Sequence, residues 1–385
     1  MNILVIAHFQ NDCSPCACFV HDQVKALQRL GHQIRIIVPI AFGKKDYYGK
    51  KCLPILKKDC IDGIWYFYLR YFSLSKYGRR KFNCKNAILS LKILLTKIQD
   101  DFYPDIIHAH TLGIDSEMGK WLKFFFNCPL VITTHGSDSV ILFQERKYEK
   151  IRQLCNNADT VVCVANHLKE KLLYAGVNIR LLVIPNGFNS QFLTRKIKKI
   201  PNSLIQVGNL IPSKRNEITI RAFAEIKRKC PTATLTIVGD GLEKEKLLSI
   251  CKELDIEDAV LFTGQINNEQ VLQKMAAAEY FVMVSAPEGL GIVYLEAMAS
   301  RCLTLAAENQ GISDIITSGK NGFLLPLDNA HAIASTILWA MKHKEIKDII
   351  TMQAYETAIN YDWSANADNY ENLFDELIKG YSGNV

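Results

Sequence analysis

The chain has 385 residues, of which 49% are hydrophobic and 22% charged, with a formal net charge of +7. That length exceeds what one hydrophobic core supports, so two domains are expected, with the composition of an ordinary soluble globular protein. No apolar run reaches about 18 residues, which excludes a membrane-spanning helix; the most apolar stretches are broken by Lys92 and Lys97, or by Asn127 and Pro129.

Met1–His8 has no basic leader region and reads as a first strand, Ile3–Ala7, rather than a secretory signal. The twelve cysteines therefore suit reduced cytosolic thiols better than a disulfide framework. Cys13-x-x-Cys16, with Cys18 beside it, has metal-site spacing, but no second Cys/His pair follows and no metal is expected. Phe19–Leu30 has helical spacing and stops at Gly31; Gln33–Pro39 is the second strand. Lys44–Lys85 then carries 12 basic residues against three acidic ones, and aromatics run through it: Tyr47, Tyr48, Trp65, Tyr66, Tyr68, Tyr71, Phe72 and Tyr77. Such a mixture suits an anionic membrane surface or a phosphate-bearing acceptor, and could also suit single-stranded nucleic acid; a solvated, irregular insertion is the plainer alternative. An amphipathic helix follows around Asn86–Gln99. Asp105–His110 is a strand ending in polar residues, and Leu130–Thr134 runs into His135-Gly136-Ser137-Asp138. Thr160–Val164 and Leu181–Ile184 complete an alternation that implies a doubly wound parallel sheet, with ligands at the strand carboxyl ends.

Pro185-Asn186-Gly187 makes a turn, and the polar, basic stretch Thr194–Ser203 marks the domain boundary. The charge divides there: residues 1–190 hold 26 Lys and Arg against 15 Asp and Glu, the remainder 20 against 24. The pattern restarts with strand Leu204–Gly208, helix Glu217–Lys229 and strand Thr234–Val238. Helix Leu242–Leu254, strand Val260–Thr263 and helix Glu269–Ala278 come next, and Cys302–Ala306, Phe323–Leu325 and helix Ala330–Lys342 form a shorter tail. Neither half has Gly-x-Gly-x-x-Gly after its first strand, which weakens a dehydrogenase reading.

The most telling stretch is Ser285–Ser300. The apolar run Tyr280–Val284 reads as a buried parallel strand, Pro287, Gly289 and Gly291 form a turn, and helix formers begin at Ile292. Strand, glycine turn and helix form the geometry in which free backbone N–H groups and the positive end of a helix dipole meet an anion. Glu288 and Glu296 bracket the turn, and a carboxylate there suits sugar or ribose hydroxyls. A plain helix start with a solvated Glu296 fits the same residues.

Together, Val207-Gly208-Asn209-Leu210-Ile211-Pro212-Ser213-Lys214, Ile237-Val238-Gly239-Asp240-Gly241, Phe262-Thr263-Gly264 and the Pro287–Ala299 stretch resemble the donor domain of retaining glycosyltransferases of family 4. Pro185-Asn186-Gly187 and Thr134-His135-Gly136 fit as well, so the resemblance covers nearly the whole chain in order. It implies the GT-B fold: two Rossmann-like, doubly wound parallel-sheet α/β domains facing a central cleft. Residues 1–190 would bind the acceptor, joined by a helix at 363–385 crossing back, and residues 203–362 would bind the nucleotide sugar. By the same resemblance, Glu296 binds ribose hydroxyls and Glu288 lies against the transferred sugar. The backbone of Gly289, Leu290, Gly291, Ile292 and Val293 receives sugar and diphosphate, Lys214 the diphosphate, and the backbone around Gly264 the base. His135 stands near the reacting carbon; a structural or capping histidine is the other reading. Departures are Asn209 where arginine is common, with Arg215 after the lysine as a compensating charge, Pro15–Cys18 in place of a glycine-rich turn, and Arg301 where glycine usually ends the helix.

The function implied is retaining transfer, without metal or other cofactor, from a nucleotide sugar (a UDP-sugar favoured) to a glycan or lipid-linked saccharide in cell-surface polysaccharide synthesis. The enzyme would be cytoplasmic, peripheral on the inner face of the plasma membrane through Lys44–Lys85, with no nucleic-acid partner. A noncatalytic nucleotide-sugar or glycan-binding protein, and an epimerase or hydrolase on the same fold, are the alternatives.

Overall fold

The computed structural model describes residues 1–7, 18–42, 56–73, 80–98, 102–136, 142–190 and 197–382. The chain divides into two compact units, Met1–Pro185 with Trp363–Val385, and Asn186–Asp362.

In the first unit, β1 (Asn2–Ile6), α1 (Cys18–Arg29), β2 (Gln33–Phe42), β3 (Leu56–Ile61), β4 (Ile64–Phe72) and α2 (Arg80–Ile98) lead into β5 (Ile106–His110). α3 (Ile114–Phe126), β6 (Leu130–Thr134), α4 (Tyr148–Cys155), β7 (Thr160–Cys163), α5 (Asn166–Tyr174) and β8 (Arg180–Val183) follow. The strands form one sheet in the order β3-β4-β2-β1-β5-β6-β7-β8, parallel except for the β3–β4 hairpin. β5 and β6 are buried along their whole length, and the polar residues at their carboxyl ends, His108, His110, Thr133 and Thr134, are buried with them.

Where the basic aromatic segment is described, part of it is regular sheet, which corrects the reading of its aromatics as a ligand surface and also the plainer one of an irregular insertion. Residues 56–72 form a hairpin closed by Asp62 and Gly63, both at positive φ (53° and 80°), the left-handed pair that a two-residue hairpin turn requires. β4 pairs with β2 from Arg35↔Trp65 to Phe42↔Phe72, and Tyr66, Tyr68 and Tyr71 are buried. These aromatics are core, not a ligand surface. Tyr47, Tyr48, Tyr77 and most of the cluster's lysines lie outside the described residues, as do His8, Cys13, Pro15, Cys16, Ser137, Asp138 and the basic pair Arg195 and Lys196. The helix expected at Asn86–Gln99 begins six residues earlier, and α3, α4 and α5 go beyond the elements read from the sequence.

The second unit contains β9 (Ser203–Val207), α6 (Asn216–Lys229), β10 (Thr234–Val238), α7 (Lys244–Glu253), β11 (Val260–Phe262) and α8 (Asn268–Ala277). Then come β12 (Tyr280–Met283), α9 (Ile292–Ala299), β13 (Leu303–Ala307), β14 (Phe323–Leu325), α10 (Ala330–Lys342) and α11 (Lys344–Ala358). Its sheet is parallel throughout, ordered β11-β10-β9-β12-β13-β14. Leu204, Leu235, Ile237, Val282 and Leu305 of the strands bury against Ile220, Phe223 and Ile226 of α6 and Ile333 and Ile337 of α10.

The last helix, α12 (Trp363–Ser382), belongs to the first unit and packs on α1. Its own Tyr370 and Phe374 are fully buried. Asn366 ties it down twice, accepting from Gln23 Nε2 at 2.8 Å and donating to the Pro185 carbonyl at 2.7 Å. No described helix is long and apolar enough to cross a membrane.

Candidate functional site

In the second unit, the residues singled out from the sequence lie on loops at the carboxyl end of the parallel sheet. β12 ends at Met283 and α9 begins at Ile292. Gly291 is the residue before the helix, at φ 75°, a left-handed conformation that favours glycine, and no side chain caps the helix. The first-turn amides of Ile292 and Val293 lie beyond the intrahelical ladder and carry the positive end of the helix dipole. Buried Tyr294 anchors that turn: its hydroxyl donates to the Met283 carbonyl at 2.7 Å and its ring packs edge-on against Phe281. The glycines here serve loop-to-loop contact as much as ligand approach. A Cβ on Gly291 would stand 2.7 Å from the Tyr294 ring, and one on Gly311 only 1.5 Å from the Gly289 carbonyl.

Glu288 sits in that turn and is held from three directions. Lys214 Nζ forms an ion pair with Glu288 Oε2, Ser285 Oγ donates to the same oxygen at 2.6 Å, and Gln310 Oε1 accepts from the Glu288 amide at 3.0 Å. Lys214 closes a single 3-10 turn, Pro212–Lys214, which follows β9. Gln206 Nε2 donates to the Lys214 carbonyl at 2.9 Å, and the Ala286 amide donates to the Ser213 carbonyl at 2.9 Å, so the loops after β9 and β12 are stitched together. Arg215, at φ 48°, precedes α6 and pairs with Asp328 rather than with Glu288. Asn209 is in the same β9 loop, beside Leu210, whose amide donates to the Asp240 carbonyl at 2.9 Å. Gly239 donates to the Gly264 carbonyl at 3.0 Å, joining the β10 and β11 loops. Glu296 is half-buried in the second turn of α9. The arrangement sets one cation, one carboxylate and a helix amino terminus along one strand edge. The cation and the helix amino terminus can meet phosphate oxygens, and the carboxylate can accept hydrogen bonds from hydroxyls.

In the first unit, His108 and His110 alternate along β5, so both rings project from one face, and His135 follows β6. His110 Nδ1 is hydrogen-bonded to His135 Nε2 at 3.0 Å, with the rings stacked. His108 Nε2 bonds Thr133 Oγ1 at 2.8 Å, which bonds the Tyr370 hydroxyl at 2.8 Å. Burial pushes His108 and His135 down to about 3, and His110 well below its ordinary value, with repulsion between the neighbouring imidazoles adding to it. All three are therefore neutral near pH 7, and His135 acts as a hydrogen-bonding imidazole rather than a cation.

Residues 18–192 match the family described as Glycosyltransferase Family 4, and residues 190–357 match Glycosyl transferases group 1. The chain belongs to the GT-B glycosyltransferase superfamily. It is 26% identical over 274 residues to an uncharacterized glycosyltransferase of Methanocaldococcus jannaschii, covering 71% of this chain and 76% of that one. A Bacillus subtilis glycosyltransferase provisionally assigned to teichuronic acid biosynthesis is 26% identical over 383 residues, 94% of each chain. Among solved structures, sucrose-phosphate synthase of Thermosynechococcus elongatus superposes with a TM-score of 0.78 at 18% identity, covering 99% and 100% of the two chains. Anabaena HepE in complex with UDP and glucose gives 0.74 at 20%, covering 98% and 100%. At those identities the two structures speak for the fold, which is that of a GT-B glycosyltransferase.

Sequence reasoning missed Ser285, Gln310 and Asp328, which hold Glu288 and Arg215, and His110, which holds His135. For His110 the His-x-His spacing in a strand was a usable signal. Gln310 comes from the loop after β13, and nothing local marks it. Among the described residues, no group of three or more His, Cys, Asp or Glu is placed to hold a metal ion.

Proposed function

We propose that this glycosyltransferase is a retaining, metal-independent enzyme that moves a sugar from a nucleotide sugar, a UDP-sugar favoured, to a glycan or lipid-linked saccharide in cell-surface polysaccharide synthesis. The observation that carries the reading is the Lys214–Glu288 pair beside the uncapped amino terminus of α9. The donor diphosphate takes Lys214 and the amides of Gly289 to Val293. Glu288, already oriented by Ser285 and Gln310, faces the sugar, Glu296 the ribose, and the backbone at Gly264 the base. Asn209 and Arg215 border the phosphates. The acceptor hydroxyl attacks the anomeric carbon on the face from which the diphosphate leaves. The carbon–oxygen bond to phosphate breaks as the new glycosidic bond forms, and the acceptor proton passes to the leaving phosphate oxygen. Lys214 and the helix dipole stabilise the charge that grows there. Neutral His135, in the acceptor-binding unit, is a hydrogen-bonding partner for a sugar hydroxyl.

The relative provisionally assigned to teichuronic acid supports a surface-polymer acceptor, and the UDP and glucose bound by HepE support a UDP-sugar donor. The test is turnover of UDP-sugars with lipid-linked saccharides, with and without a chelator, and product anomers read by NMR. The reading predicts an α-linked product from an α-linked donor at a rate unchanged by chelation. An inverted product, or loss of activity on chelation that added metal restores, contradicts it.

A further inference from the structure

The first unit carries an apolar surface that neither its core nor the chemistry of transfer explains. On α2, Leu89 and Ile93 lie one turn apart, 61% and 50% exposed. On α3, Phe124 is 74% and Phe125 45% exposed, and Trp121 stacks on Phe125 with ring centres 5.0 Å apart. Lys92 joins the helices: its Nζ lies 5.8 Å from the centre of the Trp121 ring. The two stripes thus form one patch of large apolar side chains, the kind of surface that marks an interaction site.

Its charge is as one-sided as its shape. α2 contains Arg80, Lys81, Lys85, Lys92 and Lys97 and no acidic residue. Lys85 and Lys92 are exposed on the same helix face as Leu89 and Ile93, and Lys120 is exposed one helical turn from Phe124. The two acidic residues of α3 are already engaged: Asp115 is buried and accepts from Thr111, and Glu117 is paired with Lys150. Lysines flanking exposed aromatic and aliphatic side chains match the boundary between anionic headgroups and acyl chains. Cations near such a surface and apolar side chains that enter it both strengthen binding.

We propose that the α2–α3 face docks on an anionic phospholipid bilayer, with Phe124, Phe125, Leu89 and Ile93 entering the interface and Lys85, Lys92 and Lys120 meeting the headgroups. This moves the membrane contact off the aromatics of Lys44–Lys85, several of which are core, and it does not depend on which sugar is transferred. The test is flotation of the full chain with vesicles of phosphatidylcholine, alone or with about one third phosphatidylglycerol. The wild type is expected to float only with the anionic vesicles. Leu89→Ser with Phe124→Ser, and separately Lys85→Glu with Lys92→Glu, should each reduce binding by at least about tenfold. Melting temperature and its shift with UDP should stay unchanged, which separates this result from failure of the donor site. The proposal is overturned if the wild type floats with neither vesicle or equally with both, or if the variants float like the wild type. A dimer that the substitutions dissociate, seen by sedimentation velocity, would assign the face to a second copy of the chain instead.

Discussion

Lys214 and Glu288 form a largely buried ion pair, with side chains 20% and 15% exposed. On our reading, Lys214 attracts the donor diphosphate while Glu288, of the same sign as the phosphates, repels it and competes for the lysine. Replacing Glu288 with Gln should therefore tighten UDP a few-fold and abolish transfer, whereas Lys214→Met should weaken UDP by at least about tenfold. Calorimetric titration with UDP checks both; weaker UDP binding by Glu288→Gln would show that the carboxylate is not the competitor. The buried histidines give a second expectation. His108 and His135 fall to about 3 on folding, from an ordinary value of 6.5. Between those values the unfolded chain binds more protons than the native one, so stability rises with pH across the window and is lost as pH falls through it. The slope is at most roughly 1.4 kcal/mol per pH unit for each histidine. Urea titrations at about pH 5 and about pH 7 should show it, and His108→Gln should remove about one proton's worth. An unchanged slope in that variant would mean that His108 is charged in the native state.

The strand-to-helix turn before α9 is held by a bond that no sequence pattern announces, from the Tyr294 hydroxyl to the Met283 carbonyl. Tyr294→Phe leaves that buried carbonyl without its donor and should cost about 1–3 kcal/mol in urea unfolding, with weaker UDP binding. A neutral effect would show that water or a repacked loop satisfies the carbonyl. Elements of this kind also show what the sequence made legible. In the second unit, β10, β14 and α10 have the bounds read from the sequence, because Gly239 follows β10, Gly322 and Pro326 bracket β14, and polar Asn329 and His343 flank α10. β3 and β4 escaped because Lys57, Lys58 and Arg70 flank their aromatic residues and made a buried hairpin resemble a solvated surface. The Asp62-Gly63 pair between two β-branched residues was the better guide, since its two positive φ angles are what a tight hairpin needs. Glu288 was legible as a candidate because it lies in a glycine turn at a strand end. Its partners were not, since Ser285, Lys214 and Gln310 converge from three loops only when the parallel strands β9, β12 and β13 are side by side.

At the scale of the whole molecule, two parallel-sheet units share one construction but carry different chemistry. The first is basic and holds a neutral histidine cluster and an apolar, lysine-flanked face; the second is close to neutral overall, with 19 Lys and Arg against 20 Asp and Glu, and its cation Lys214 stands at a strand end beside a helix amino terminus. That division suits an enzyme in which one unit holds the nucleotide sugar and the other its acceptor. The most direct measurement of this account is thermal unfolding with UDP, GDP and their sugars, beside Lys214→Ala and Glu296→Ala. A ligand that binds only the native state must raise the melting temperature by mass action. UDP compounds are expected to stabilise the wild type, and both variants to lose most of that shift. No shift with any nucleotide, or equal shifts in the variants, would contradict it.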